Sequence, residues 1–551
     1  ENESLNYNMP FALELDGQAD EKKISEIFYK LIERHEALRT SFNVVNGEPV
    51  QIIHDNVSFS ISFEDCTEEG INSFIKKHIR PFKLDKAPLL RVSIAKLSNN
   101  KRIMFMDMHH IISDGISVIT LLNEFSSLYD DNTLPTPTVC YKDYVVWKNS
   151  IDLSSQKEYW MQVYNDEVPV ADLHYDFERP LTQSYYGKKL HFTINKTLSK
   201  KINKVVKNNG TTAFTLMFAA YNILLSKYSG QEDIIVGIPV AGRRHPDIDK
   251  MIGMFVNTVA LRNKPFGKKT FIEFLAEVRD NSFKAFENQD YPFEELVSNL
   301  KIPRNLNRNP LFDTMFIYQK VNSPHFENKE IHIAQYQFDS DISKFDISLE
   351  ITDMAGEFSF TIEYCTDLFK HDTIQRMGEH YLNILKSVTD SVEIKISEIE
   401  MLTSYEKNMI LHVFNDTSVN FQREKTIHQL FEEQAEKTPD AIAIVFEGNK
   451  YTYKQLNEAS NKLALYLREK YIAPNKIVGI MVNRSFEMMV GILAVLKAGG
   501  CYLPIDPAYP EERIDYILKD SGAKIVLTQE EHKSKILSNQ EIIDIYDDEI
   551  T

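Results

Sequence analysis

MHHIISDG, residues 108–115, ends an apolar stretch that opens with KRIMFMD at Lys101, and its reading decides the fold. The run predicts a buried strand over 101–112 that gives way to a helix after Gly115. On a strand, neighbouring side chains point to opposite faces, so His109 and His110 do not readily grip one ion. The helical i, i+4 spacing that suits a zinc pair is absent, and no metal site is predicted. Packing is the plain alternative, since a lone histidine in an apolar strand is usually a core residue with one hydrogen bond. Here, however, Ile103, Met104, Phe105, Met106 and Met108 already supply both faces. Aspartate at 114 can cap the following helix or bridge to an arginine, and glycine at 115 lets backbone approach a substrate closely. A helix start offers N–H groups to developing negative charge. One imidazole handling a proton beside such donors is a template for acyl transfer. No G-x-S-x-G elbow occurs in the chain, so direct attack by a second substrate is preferred over an acyl-enzyme route.

Outward from this stretch, the first 170 residues alternate strand-like and helix-like segments. EKKISEIFYKLIERHEALRT carries apolar residues at 24, 27, 28, 31 and 32, a helical stripe, and LLRVSIAKL reads as a second buried strand. After Gly115, Ile119, Leu122, Phe125 and Tyr129 recur at helical spacing, and LPTPTVCYKDYVVW then breaks the pattern as a crossing segment. From 171 to about 400 the mixed character repeats. GTTAFTLMFAAYNILLSKYS is predicted helical, DIIVGIPVAG a strand and FIEFLAEVRDNSFKAFEN helical. Around 395–425 the sequence turns into a charged connector, and a new α/β rhythm starts near Thr426.

The totals bound the answer. A chain of 551 residues implies several folding units, roughly three to five, and 43% hydrophobic with 26% charged residues are ordinary globular values. A net charge of −18 argues against nucleic-acid or anionic-membrane partners, which need basic surfaces. Cys66, Cys140, Cys365 and Cys501 are widely spaced with no CxxC, so neither a zinc site nor a disulfide framework is expected and a reducing compartment fits. The longest apolar run, Met488 to Leu496, is far shorter than the ~20 residues of a membrane span. No signal peptide is visible, and a cytoplasmic location is expected. The opening ENESLNYNMP, without an initiator methionine, reads as a piece cut from something longer.

His109-His110-Ile-Ile-Ser-Asp114-Gly115 resembles the HHxxxDG signature of condensation domains in nonribosomal peptide synthetases, which share a fold with chloramphenicol acetyltransferase. Other stretches resemble further motifs of that family in the family's order. They are RHEALRTSF (34–42), YKDYVVW (141–147), IGMFVNTVALR (252–262), NQDYPFEELV (288–297) and RNLNRNPLFD (304–313). The motif that normally precedes YNMP is missing, which implies a truncated N-terminus. Beyond the connector the chain is similar to the start of an adenylation domain, in YTYKQLNEASNKLA and in LKAGGCYLPIDPAYPEERIDYIL (496–518). The phosphate loop and catalytic lysine of that family are not in the sequence, nor is a carrier motif with a phosphopantetheine-accepting serine. The adenylation part is therefore expected to be inactive by itself.

The resemblance implies an α/β fold of two chloramphenicol-acetyltransferase-like lobes forming a V, at 1–170 and 171–395, then a linker at 396–425 and a partial α/β adenylation subdomain at 426–551. It implies that the amine of an acceptor aminoacyl thioester attacks a donor thioester, both held on the phosphopantetheine arms of carrier proteins. The chain itself would bind no cofactor, and ATP would serve only a complete adenylation domain. His110 would sit at the reacting centre, as a base or as the group that positions the amine; both roles stay open. Gly115 would supply backbone near the thioester oxygen, and His109 would support the fold. Asp114 would pair with Arg39 in a structural salt bridge, while Asn257 and Trp160 are candidates for the channel and its surroundings. Family members taking a D-configured donor often carry tryptophan where this chain has Ile116, which points to an L-configured donor. Two other readings compete: a degenerate condensation-like module that docks carriers or recruits a partner, and a diffusible acyltransferase using coenzyme A thioesters. Donor carrier, acceptor carrier and the rest of the synthetase are the expected partners, with no nucleic acid and no membrane.

Overall fold

A computed structural model describes residues 5–17, 19–97, 101–302, 305–320, 331–338 and 341–547. Arg304, which heads the stretch RNLNRNPLFD, lies outside them. The chain divides into two compact units, Glu1–Asn415 and Asp416–Thr551.

Among the described residues the first unit holds two larger sheets. In the first, strands run in the order Ile331–Tyr336, Asn8–Gly17, Lys101–His109, Leu90–Lys96 and Ser62–Asp65. The histidine-bearing strand is thus central, antiparallel to Asn8–Gly17 with Asn8 opposite His109, and to Leu90–Lys96. Its alternation explains the continuous apolar run. Met104, Met106 and Met108 face helices Glu21–Arg34 and Gly115–Tyr129, packing with Phe28, Leu31 and Phe125. Ile103 and Phe105 face the helix Ile71–His78 with Phe74 and Ile75. Both faces are covered, so no polar alternation survives.

The apolar stripe of Glu21–Arg34 is buried at Ile24, Ile27, Phe28, Leu31 and Ile32, as its spacing predicts. In Gly115–Tyr129 the stripe is rotated from the prediction. Ile119 is 54% exposed, and Ser117, Thr120 and Leu121 are buried in its place beside Leu122, Phe125 and Tyr129.

The second sheet runs Gly187–Thr193, Glu357–Cys365, Ile347–Met354, Thr314–Lys320, Ile234–Val240 and Asn257–Asn263. Helix Ala213–Ser229 is buried on every side from Thr215 to Ser226, which explains its unbroken apolar character. The two sheets do not divide the chain at a single point. Strand Ile331–Tyr336 returns to the edge of the first sheet, and Ile252 joins the first core. Trp160 and Tyr164, N-terminal to the boundary drawn at 170, pack into the second core.

The second unit contains an all-parallel sheet in the order Cys501–Pro504, Ile477–Met481, Ile525–Thr528 and Glu541–Asp544. Apolar clusters lie on both its faces, one with helices Tyr453–Glu469 and Phe486–Lys497 and the other with Glu511–Ser521. The run Met488–Leu496 falls inside Phe486–Lys497; no helix among the described residues is long and apolar enough to cross a membrane.

Candidate active site

Strand Lys101–His109 ends one residue before His110, which already lies in a turn. The strand pairing hands His109 over with its N–H donating to the Leu89 carbonyl, 3.0 Å. His110 instead donates its N–H to the carbonyl of Tyr7, 2.8 Å, at the head of the neighbouring strand. The chain then folds back on itself: the Ile111 N–H donates to Nδ1 of His109 at 3.1 Å, and Ser113 Oγ donates to the His109 carbonyl at 3.2 Å. Strict strand alternation therefore applies to His109, on the face of Ile103, Phe105 and Asp107, and not to His110.

The accepting Nδ1 of His109 leaves the proton on Nε2 in the neutral ring. That ring packs 6.0 Å from Tyr7 and edge-on to Phe82 at 6.0 Å. Burial, then the neighbouring His110 and Lys344, push its pKa down to about 4. Burial and then Lys344 also hold His110 below its ordinary value, while the His110 and Ser113 carbonyls and Asp114 act in the opposite sense. Its Nδ1 is buried and has no hydrogen-bond partner among the described residues. At neutral pH both imidazoles are uncharged, and only His110 keeps this ring nitrogen uncommitted.

Asp114 caps the helix Gly115–Tyr129, its Oδ1 accepting from the Ser117 N–H at 2.7 Å. The predicted partnership with Arg39 does not form. Asp114, 0% exposed, takes its ion pair from Arg243, whose Nη2 lies 3.0 Å from Oδ1 and 3.2 Å from Oδ2. The Phe255 N–H donates to Oδ2 at 3.2 Å. Arg243 is itself held from two sides, donating through Nη1 to the carbonyls of Ile248 and Met251, both 2.6 Å, with its guanidinium 4.0 Å from the Phe255 ring centre. Ser117 Oγ accepts from Arg243 Nη2 at 2.9 Å and from the Gly253 N–H at 3.1 Å. Glycine is required at 253 by close approach, since a Cβ there would meet the Tyr141 ring at 2.2 Å. Arg39 sits in the short turn Glu36–Arg39, where it donates to the His54 carbonyl at 2.7 Å, with Glu36 3.9 Å away. A hairpin carbonyl takes its guanidinium, and the loop after strand Ile234–Val240 brings Arg243 to the aspartate instead.

Gly115 is exposed at the first position of its helix, and a Cβ added there meets nothing within 4 Å. Its φ is not in the left-handed region, so an L side chain is allowed. Gly115→Ala is expected to melt within about 1 kcal/mol of the parent, on the favourable side. If that open space takes the thioester, amide formation should slow in the same variant; unchanged rates would remove Gly115 from the site.

Asn257 and Trp160 meet at another place, the turn 288–291. Asn257 Nδ2 donates to the carbonyls of Gln289 (2.7 Å) and Tyr291 (2.8 Å), and Trp160 Nε1 donates to that of Asn288 (2.9 Å). Trp160 is 2% exposed in the second core. Both side chains are spent on holding backbone.

Beneath His109, Asp107 is 0% exposed and accepts from Asn8 Nδ2 at 2.7 Å and Arg91 Nη1 at 3.2 Å. Burial pushes its carboxyl up to about 7, against Arg91 and Asn8. A folded value above the ordinary one means its stabilising share is present at low pH and is lost as pH rises through about 7. Asp107→Asn should gain on the parent in melting temperature as pH climbs from 5 to 8, by several degrees at the upper end. A difference constant across that range would contradict the assignment.

Residues 1–411 match the Condensation domain family and residues 431–550 the AMP-binding enzyme family. The chain belongs to the condensation-domain family. Gramicidin S synthase 2 of Brevibacillus brevis is 46% identical over 551 residues, 99% of this chain and 12% of that protein. The chain thus spans about an eighth of the length of that relative. A four-domain nonribosomal peptide synthetase, bound to AMP and glycine, superposes with a TM-score of 0.85 at 22% identity, covering 99% of this chain and 43% of the other. The X-domain in complex with OxyB from teicoplanin biosynthesis gives 0.66 at 20% identity, covering 72% of this chain and 91% of the other. The condensation domain carries its histidine pair intact. Arg243, Ser117, Tyr7 and Lys344 escaped the sequence reading; for Arg243 the available signal was a buried carboxylate needing a partner and the arginine pair that follows Gly242.

Proposed function

We propose that the condensation domain joins a carrier-bound donor aminoacyl or peptidyl thioester to the amine of a carrier-bound acceptor aminoacyl thioester. The observation that carries this is the half-buried His110, held below its ordinary pKa chiefly by burial, with a buried Nδ1 that has no hydrogen-bond partner among the described residues, next to the open start of helix Gly115–Tyr129. The acceptor nitrogen attacks the donor carbonyl, His110 receives or orients the amine proton, and the donor carrier departs as a free thiol. Charge gathering on the carbonyl oxygen is eased by the positive helix end at Gly115. An amine with an ordinary pKa near 8 meets an imidazole that is already unprotonated, so the proton has a place to go at neutral pH. The substrates bring phosphopantetheine with them, ATP belongs to a complete adenylation domain, and Cys66, Cys140, Cys365 and Cys501, all free, suit the cytoplasm. Asp114, Arg243, Ser117 and His109 shape the turn. Ile116 keeps the assignment of an L-configured donor.

The test offers the chain both substrates on carriers, both as coenzyme A thioesters, and the donor carrier alone. Amide only with the two carriers is expected. Equal rates with coenzyme A thioesters would make it a diffusible acyltransferase. Carrier binding without product would make it a docking module.

A further inference from the structure

The exposed residues of helix Gly115–Tyr129 are Gly115, Ile119 and Asn123, spaced four apart and therefore stacked as one ridge along a single face. Gly115 opens the ridge where the histidine turn ends, and a Cβ added there meets nothing within 4 Å. Ile119, one turn on, is apolar and yet 54% exposed. Four residues beyond Asn123 the ridge reaches Ser127, and these two line a cavity of about 620 Å³. The other walls include Arg34 at the end of helix Glu21–Arg34, Pro135 and Pro137 of the crossing stretch, and Met251, whose carbonyl accepts from Arg243. The ridge thus runs from the open helix start beside the histidine turn into a cavity whose wall is shared with the Arg243 clamp. A volume of this size is in the range that bound organic ligands occupy. The Asn123 side-chain amide has no hydrogen-bond partner among the described residues. It offers the same pairing of one acceptor oxygen with an N–H donor that a peptide group carries.

We propose that this ridge and cavity form a subsite for the peptidyl chain of the donor, holding the residues upstream of the thioester. This rests on the placing of the donor thioester at the open start of the helix. Asn123 lies eight residues beyond Gly115, a rise of about 12 Å along the helix axis. An extended peptide covers about 3.3–3.6 Å per residue, so a donor meets Asn123 with roughly its third or fourth residue counted back from the thioester. An aminoacyl donor reaches no further than Ile119. Along the way Ile119 gives passing side chains an apolar contact, and Asn123 pairs with a backbone amide at the cavity mouth. The subsite distinguishes donors by length.

The experiment offers the chain donors of one to five residues on one carrier, reading KM from amide formation and Kd from amide-linked analogues that cannot transfer. In the parent both constants should change little over the first two residues and fall about tenfold by the fourth. Asn123→Trp fills the cavity mouth from an exposed position and should abolish that gain. Asn123→Ala removes only the amide and should cut the gain about threefold. A benzophenone side chain on the fourth donor residue should crosslink to residues 123–127 or 134–139. Constants independent of donor length in the parent, or a gain already complete at the second residue, would overturn the proposal. So would a gain untouched in both Asn123 variants, or crosslinks confined to other segments. If Asn123→Trp fails to fold, the alanine variant and the crosslink decide. Affinity that climbs with length while no donor yields amide would leave the subsite standing and refute the function assigned above.

Discussion

His110→Ala is expected to lower amide formation by about 10²–10⁴-fold while the first unit melts as the parent does. The imidazole contributes little to the fold, because its Nδ1 has no described partner to lose and the His110 N–H to Tyr7 carbonyl bond is a backbone bond. What disappears is the neutral base or anchor beside the reacting amine. The neighbouring histidine should behave in the opposite way. His109→Ala removes the acceptor of the Ile111 N–H and the ring packed on Tyr7 and Phe82, at a cost of about 1–3 kcal/mol, with activity falling mainly through stability. Rates and melting curves for both variants, taken with the same loaded carriers, check the contrast. Equal activity losses in two equally stable variants would refute the choice of His110. Raising the pH should partly rescue His110→Ala if the group is chiefly a base, since free amine then becomes abundant; a defect independent of pH would assign it to positioning.

The second large effect is on stability. Asp114→Ala strands Arg243, whose side chain is 3% exposed, without its carboxylate, and also removes the helix cap. Breaking a buried pair from one side costs about 3–5 kcal/mol. Arg243→Ala should cost as much, because Asp114 is 0% exposed and the Ile248 and Met251 carbonyls lose their donor as well. Arg39→Ala should cost no more than about 1.5 kcal/mol, since it forfeits one hydrogen bond and a long contact to Glu36. A double-mutant cycle separates the two arginines. Asp114 and Arg243 should show strong coupling, whereas Asp114 and Arg39 should be additive within about 0.5 kcal/mol. Coupling to Arg39 in place of Arg243 would contradict the observed pair.

The local sequence carried much of this architecture. The stripe at 24, 27, 28, 31 and 32 and the run from Lys101 were legible because one apolar period dominates each. The face of Gly115–Tyr129 was misread at Ile119 because Ser117 and Thr120, small and polar, are buried, Ser117 by its contacts to Asp114 and Gly253. Hydrophobic spacing does not register such residues. Strand Ile331–Tyr336 joins a sheet whose other strands lie far upstream in the chain, and no local pattern announces that pairing. The histidine turn was legible as a motif, while its supports were not. Arg243 and Lys344 reach it through the fold of the second sheet, and arginine at 39 was an equally plausible partner on charge alone. The motif was written in one octapeptide; the residues that hold its turn come in by topology.

Intact-mass spectrometry of all three proteins through a single turnover tests the central claim most directly, that the acceptor amine attacks the donor thioester directly, with His110 handling or orienting the amine proton. Donor-loaded carrier, acceptor-loaded carrier and this chain are mixed and quenched in time. The account predicts that the acyl mass leaves the donor carrier, appears on the acceptor carrier at the same rate, and never resides on the chain, with both changes lost in His110→Ala. Acyl mass accumulating on the chain, or donor thioester merely hydrolysed while the acceptor carrier stays unchanged, would contradict it.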